Sequence, residues 1–251
     1  WATVSSKKHN ISKKEEVFLA DLQVMTSRGT FIVNGVERVA VAQISRSFGL
    51  YFTANSIKGK NFFGAKIIPL RGAWIEIETD SDGAIFCRLD RKRKFPVSML
   101  FKIFGFKNNA EVKEKFKDLP KEKLVFIEKT LEADQAVGQK ESYIEIYKRL
   151  RPGEPATHET SKEFINNILF NKARYDLSVV GRYKLNQRLG LGLDKIEKQS
   201  KILLSEDLVE IVKNIVDLNT RPDAQPDDID HLGNRRVRTI GEMLMERLLI
   251  G

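Results

Sequence analysis

The 251-residue sequence predicts an α+β fold. Three observations carry that expectation. Short apolar runs with period-two alternation fill much of residues 62–90. An Asn34-Gly35 pair sits between two apolar runs and marks a hairpin. From about Ser98 onward, apolar residues recur at intervals of three and four, the helical period.

In chain order, a polar tail leads to a strand-like segment at Val17–Val24. Phe31-Ile32-Val33 and Val36–Val41 flank Asn34-Gly35, both of which tolerate positive φ. Ser45–Lys60 is expected to be a loop, broken by Gly49 and Gly59. Strands follow at about Phe62–Pro69, Ala73–Thr79 and Ala84–Asp90, the last two joined by Asp80-Ser81-Asp82-Gly83. This hairpin fixes its own register. Ile75 and Ile77 alternate with Trp74, Glu76 and Glu78, and Cys87 and Leu89 alternate with Arg88 and Asp90. One pairing satisfies both strands: Ile75 with Leu89, Ile77 with Cys87, Glu76 with Arg88 and Trp74 with Asp90. It sets a large aromatic beside a carboxylate on the polar face.

The helical part begins with Val112, Phe116 and Leu119, then Leu124, Ile127 and Leu131. A further helix ends near Leu150, because Pro152 cannot continue it. Thr157 is expected to cap a helix carrying Phe164, Ile168 and Leu169. Ser205 is expected to cap another, with Leu208, Ile211, Val212 and Ile215 inward and an end before Arg221-Pro222. After a polar connector from Pro222 to Asp228, Thr239-Ile240-Gly241-Glu242 reads as a capping box for a last helix running into Gly251.

Hydrophobic residues make up 41% and charged residues 31%, the balance of a soluble globular protein. No apolar run approaches the roughly 20 residues of a membrane helix, so no membrane partner is expected. The N-terminal Trp1–Lys8 has no apolar stretch followed by a cleavage site, so a secretory signal is not expected there. Cys87 is the only cysteine, which points to a reducing cytoplasm. Lys plus Arg is 43 against 34 acidic residues, a net charge of +9, which favours a polyanionic partner such as nucleic acid.

No P-loop, Gly-x-Ser-x-Gly elbow or His-Glu-x-x-His is present. Gly190-Leu191-Gly192 reads as a turn. His9, His158 and His231 are too scattered to ligate a metal, and Asp223, Asp227, Asp228 and Asp230 lack the spacing of a calcium loop. No metal site is expected. Basic residues cluster at Arg88–Lys94, across Arg174–Arg188 with Arg182 and Lys184, and at Arg235, Arg236 and Arg238. With Trp74 nearby, these clusters suit phosphate contacts beside a base-stacking platform.

Six motifs occur in a telling order: Gly29–Val39, Arg71-Gly72-Ala73-Trp74, Asp90–Pro96, Arg149–Pro155, Arg174–Arg182 and Asp227–Arg236. Together they strongly resemble the beta subunit of bacterial DNA-directed RNA polymerase, over about Glu15 to Met245. The resemblance implies a fragment: a mixed lobe domain at residues 46–232, with an incomplete protrusion domain formed by residues 1–45 and 233–251. It also implies that the fragment is not itself catalytic and holds no cofactor. The magnesium of the full enzyme belongs to the beta-prime subunit. Implied partners are DNA, the beta-prime, alpha and sigma subunits, and transcription factors or phage inhibitors that dock on the lobe. The implied location is the cytoplasmic nucleoid.

In that family a pocket captures a flipped guanine of the non-template strand, and a tryptophan stacks on the preceding base. The matching positions are Arg46, Trp74, Asp90, Ile229, Asp230 and Arg235. Arg38, Val41 and Gln43 match rifamycin-resistance positions, the main drug pocket being implied to lie past Gly251. The chain departs from the family at Phe48, where the pattern Arg-Ser-Pro-Gly has proline, so the presentation of Arg46 is expected to differ. Two other readings are a freestanding docking module and an independent enzyme; the missing catalytic motifs count against the second.

Overall fold

The computed structural model describes residues 2–6, 8–18, 21, 23–57 and 59–250. The chain divides into two units: Ser45–Arg236, and Trp1–Ile44 together with Val237–Gly251.

Strands β1 (Ala2–Ser6) and β2 (Ile11–Glu15) pair antiparallel, as do β3 (Phe31–Val33) and β4 (Val36–Arg38). Asn34 and Gly35 join the second pair at φ 52° and 76°, the positive values their small or amide side chains permit. The strand expected to reach Val41 ends at Arg38. Of the strand expected at Val17–Val24, residues 17, 18, 21, 23 and 24 carry no regular structure, and residues 19, 20 and 22 lie outside the described residues. Trp1, Lys7 and Gly251 also lie outside them.

After β5 (Gln43–Arg46), the expected loop is instead a nine-residue strand, β6 (Gly49–Ile57), paired along its whole length with β7 (Lys60–Ile68). Leu50, Tyr51 and Phe52 are buried consecutively. A strand covered on both faces loses the alternation by which strands are recognised, and this one reads as a loop between glycines. Next come β8 (Ile75–Thr79), β9 (Ile85–Leu89) and β10 (Phe95–Pro96), completing a five-stranded antiparallel sheet in the order β10-β9-β8-β7-β6.

The β8–β9 register is the expected one, with Ile75 opposite Leu89, Glu76 opposite Arg88 and Ile77 opposite Cys87. The ion pairs differ. Glu76 faces Lys66 of β7, 3.4 Å away, and Arg88 pairs diagonally with Glu78 at 3.3 Å. A central strand offers each carboxylate two neighbours, and the hairpin alone reveals only one. At Gly64 the sheet is so close that a Cβ would lie 2.2 Å from the Ile77 carbonyl oxygen.

Seven helices follow in this unit: α1 (Val97–Ile103), α2 (Asn109–Lys115), α3 (Lys121–Glu132), α4 (Gln139–Leu150), α5 (His158–Leu169), α6 (Ser178–Leu189) and α7 (Ser205–Thr220). Helix α4 stops two residues before Pro152, and Thr157 caps α5 by accepting the Thr160 N–H at 3.3 Å. Ser205 does not cap α7. The carboxylate of Asp207 turns back to accept the Leu204 N–H at 2.8 Å, so the chain enters the helix one residue earlier. Helix α6 carries no clear apolar stripe because its buried face includes Arg182 and Asn186; it ends on left-handed Gly190.

Helix α6 packs on β6, α7 on β7, and α1 and α3 on β9. Ile67, Ile75, Ile77, Ile85 and Leu89 of the sheet meet Leu100, Phe101, Phe116, Leu208, Ile211 and Ile215 in one core. Each such side chain contributes about 1.5–3 kcal/mol on burial. After the core, β11 (Arg235–Arg238) pairs with β5, and α8 (Ile240–Ile250) starts where the Thr239 hydroxyl accepts the Glu242 N–H at 3.5 Å. Among the described residues no helix is long and apolar enough to cross a membrane.

Candidate nucleic-acid interface

Leu50, Ile67, Ile75 and Leu89 form one row across the sheet. One residue further out, Gly49 pairs with Ile68 where β6 begins, and Trp74 and Asp90 lie just outside Ile75 and Leu89. The Asp90 N–H donates to the Trp74 carbonyl at 2.9 Å, which carries the β8–β9 pairing one residue past its strands. Trp74 is half-buried, and the Arg91 guanidinium lies 5.2 Å from its ring centre. Asp90 and Arg91 take φ 51° and 59°, so the chain leaves the sheet here and exposes Arg91, Lys92 and Arg93. Beside them opens a cleft of about 420 Å³, whose lining includes Gly72, Asp90, Lys92, Arg151 and Arg174.

The second part of the site is the Asp227–Asn234 loop, which runs along β6, an edge strand of the sheet. Asp227 donates its N–H to the Phe52 carbonyl at 2.8 Å, and its carboxylate accepts the Phe52 N–H at 2.7 Å. Arg188 of α6 grips both oxygens of that carboxylate, at 2.6 and 3.2 Å. Asp228 then accepts the N–H groups of Asp230 and His231 at 3.0 and 3.1 Å, folding a tight turn. At the far end, the Ser47 N–H donates to the Asn234 carbonyl at 2.9 Å, and Lys184 donates to the Gly233 carbonyl at 3.2 Å.

This loop presents Asp230 to solvent, paired with Arg235 at 2.6 Å. The Arg235 bond is the main reason the Asp230 carboxyl titrates below its ordinary range, and the charge of nearby exposed Arg46 adds to it. Asp230 is therefore an anion at neutral pH. Arg235 engages one of its oxygens, and a carboxylate has about four acceptor sites, so it can still take donors from a ligand. Ile229 is half-buried in the same loop. Arg46, Ile229, Asp230, Arg235 and Lys184 are thus brought around one loop. Trp74 and Asp90 stand just outside β8 and β9, two and three strands away from Gly49 of β6, about 10 and 14 Å by strand spacing.

The family described as RNA polymerase Rpb2, domain 2, matches residues 46–238. The chain belongs to that family. It is 43% identical over 251 aligned residues to the DNA-directed RNA polymerase subunit beta of a Nocardioides species, covering 95% of this chain and 21% of that protein. It is 40% identical over 249 residues to the corresponding subunit of Syntrophomonas wolfei subsp. wolfei, covering 99% of this chain and 22% of that protein. The chain thus spans about a fifth of the length of these relatives. The Rpb2 domain 2 match includes Arg46, Trp74, Asp90, Ile229, Asp230 and Arg235.

Arg182 is a correction. Its side chain is buried: Nε donates to the Ser200 carbonyl at 2.8 Å, Nη1 to Asp207 at 2.8 Å and Nη2 to the Ile202 carbonyl at 2.6 Å. Its donors face inward and tie α6 to the start of α7, so it offers nothing to a DNA phosphate. Basic density in the sequence does not distinguish a core guanidinium from a surface one. Arg38, Val41 and Gln43 are exposed in the smaller unit; Arg38 helps line a cleft of about 390 Å³ with Phe31, Val33, Val39, Ile240 and Leu244.

The acidic cluster is drawn apart by separate partners: Asp223 pairs with Arg221, Asp227 with Arg188 and Asp230 with Arg235. Among the described residues no three His, Cys, Asp or Glu side chains converge to hold a metal ion. Cys87 is fully buried, and burial pushes its thiol pKa up. Arg188 and Asp227 are the anchors that sequence reasoning missed as a pair. They lie 39 residues apart, and no local pattern joins them.

Proposed function

We propose that the chain is part of the beta subunit of a bacterial DNA-directed RNA polymerase, with residues 46–232 as its lobe and residues 1–45 and 233–251 within its protrusion. In this reading it walls the DNA channel and reads the non-template strand. It performs no chemistry itself. The nucleotidyl transfer, and the magnesium that supports it, belong to the assembled enzyme with its beta-prime, alpha and sigma subunits, in the nucleoid.

The roles follow from the residues. Asp230, kept ionised by Arg235 and Arg46, accepts hydrogen bonds from the Watson–Crick edge of an extruded guanine, whose N1 and N2 both donate. No other base offers that donor pair to one carboxylate. Trp74 offers a π-face to the preceding base and is indifferent to its identity. Arg91, Lys92, Arg93 and the other exposed cations neutralise phosphates. The observation that carries the reading is the shared placement of the Asp230–Arg235 pair and Trp74 at one end of one sheet. A docking module would need a broad apolar face there, whereas Asp90, Arg91, Lys92, Arg93, Asp230 and Arg235 are all exposed charges.

Photo-crosslinking tests it. A polymerase assembled with the full-length subunit is bound to promoter DNA carrying a photoreactive base at the captured non-template position. Crosslinks are expected in the peptides holding Trp74 and residues 227–236. Crosslinks confined to other peptides would overturn the reading.

A further inference from the structure

We infer that Asp227 is a positioning residue for the base-reading loop, acting through Phe52 and Arg188; this rests on the reading of Asp230 given above. Phe52 lies on β6, an edge strand, whose outward N–H and carbonyl would otherwise meet water or another strand. One residue takes both: Asp227 accepts the N–H at 2.7 Å and donates to the carbonyl at 2.8 Å. Half of that pair is a side chain, so the loop is held by a charge as well as by backbone.

The charge is matched. Arg188 donates to both Asp227 oxygens, at 2.6 and 3.2 Å, and its guanidinium lies 5.1 Å from the Phe52 ring centre. Helix α6, strand β6 and the loop therefore meet at one carboxylate. Asp227 stands three residues before Asp230, and the Asp228 turn between them leaves little slack. At the other end the Asn234 carbonyl is held by Ser47, while Arg236 lies 4.2 Å from the Phe48 ring centre. With the exit of the loop fixed, the setting of Asp230 depends on the Asp227 anchor at its entry.

The test uses polymerase assembled with full-length subunits carrying Asp227→Ala, Asp227→Asn, Arg188→Gln or Asp230→Ala. Open-complex lifetimes are compared on templates differing only at the captured base, and hydrogen exchange is followed in the peptide spanning 228–236. Asp227→Ala is expected to reduce the guanine preference to that of Asp230→Ala. It is also expected to speed exchange in that peptide while β7–β9 stay protected. Asp227→Asn, which still accepts the Phe52 N–H, should retain part of the preference, and Arg188→Gln should resemble it. Unchanged exchange in Asp227→Ala would overturn the positioning role. So would lifetimes shortened equally for all four bases with the preference intact. If Asp230→Ala itself keeps the guanine preference, the base-reading assignment fails, and the exchange data alone decide whether Asp227 holds the loop.

Discussion

The Asp90 N–H donates to the Trp74 carbonyl at 2.9 Å, one residue beyond the last strand pair of the β8–β9 hairpin. This bond fixes the Trp74 backbone at the sheet rim, and Arg91 covers part of the ring. Trp74→Ala is expected to weaken open complexes by about 1–3 kcal/mol of lost stacking, with little dependence on base identity. Trp74→Phe should restore most of the loss. Lifetimes on templates with an abasic site at the stacked position check this: the abasic site should remove most of the difference between wild type and Trp74→Ala.

The Arg182–Asp207 pair lies in the interior, both side chains at most 5% exposed. Arg182→Ala leaves Asp207 buried without its cation and is expected to destabilise the chain by about 3–5 kcal/mol. The salt dependence of DNA binding, measured on the folded protein, should stay as it was. Urea unfolding gives the first quantity and a binding titration across salt the second. A shallower salt slope with full stability would return Arg182 to the DNA surface.

Asp217 of α7 meets Lys123 of α3 at 2.5 Å, and that contact is the chief reason its carboxyl titrates below its ordinary range. A depressed folded pKa gives stabilisation that is fully present above the unfolded value, about 3.9, and lost as pH falls through the folded value. Both groups are partly exposed, so the contribution is held to about 1 kcal/mol or less. Urea midpoints of wild type and Asp217→Asn should differ at pH 7 and converge near the acid end of the profile. A gap that persists unchanged into strong acid would show that packing, not charge, accounts for the difference.

The sequence revealed those parts of the fold that rest on local pattern. The Asn34-Gly35 turn, the Ile75–Leu89 register, the Thr157 cap and the end of α4 before Pro152 all follow from residues close together in the chain. What escaped depended on distant partners. Strand β6 was hidden by burial on both faces, and α6 by the polar residues on its inward side. The ion pair of Glu76 was set by Lys66 on a strand outside the hairpin. At the site, the resemblance supplied Asp230 and Arg235, and the register supplied the neighbourhood of Trp74 and Asp90. The Asp227–Arg188–Phe52 anchor needed the tertiary structure, since its three residues come from a loop, a helix and a strand.

Base preference at Asp230 tests the central claim most directly. In assembled polymerase, dissociation of open complexes is measured on four templates that differ only at the captured non-template base, with wild-type and Asp230→Ala subunits. Asp230→Ala is expected to shorten the lifetime on the guanine template by an amount corresponding to about 1–3 kcal/mol for the lost paired contact, while leaving the other three nearly unchanged. An equal shortening on all four templates would contradict the account, because Asp230 would then hold its loop through Arg235 without reading the base.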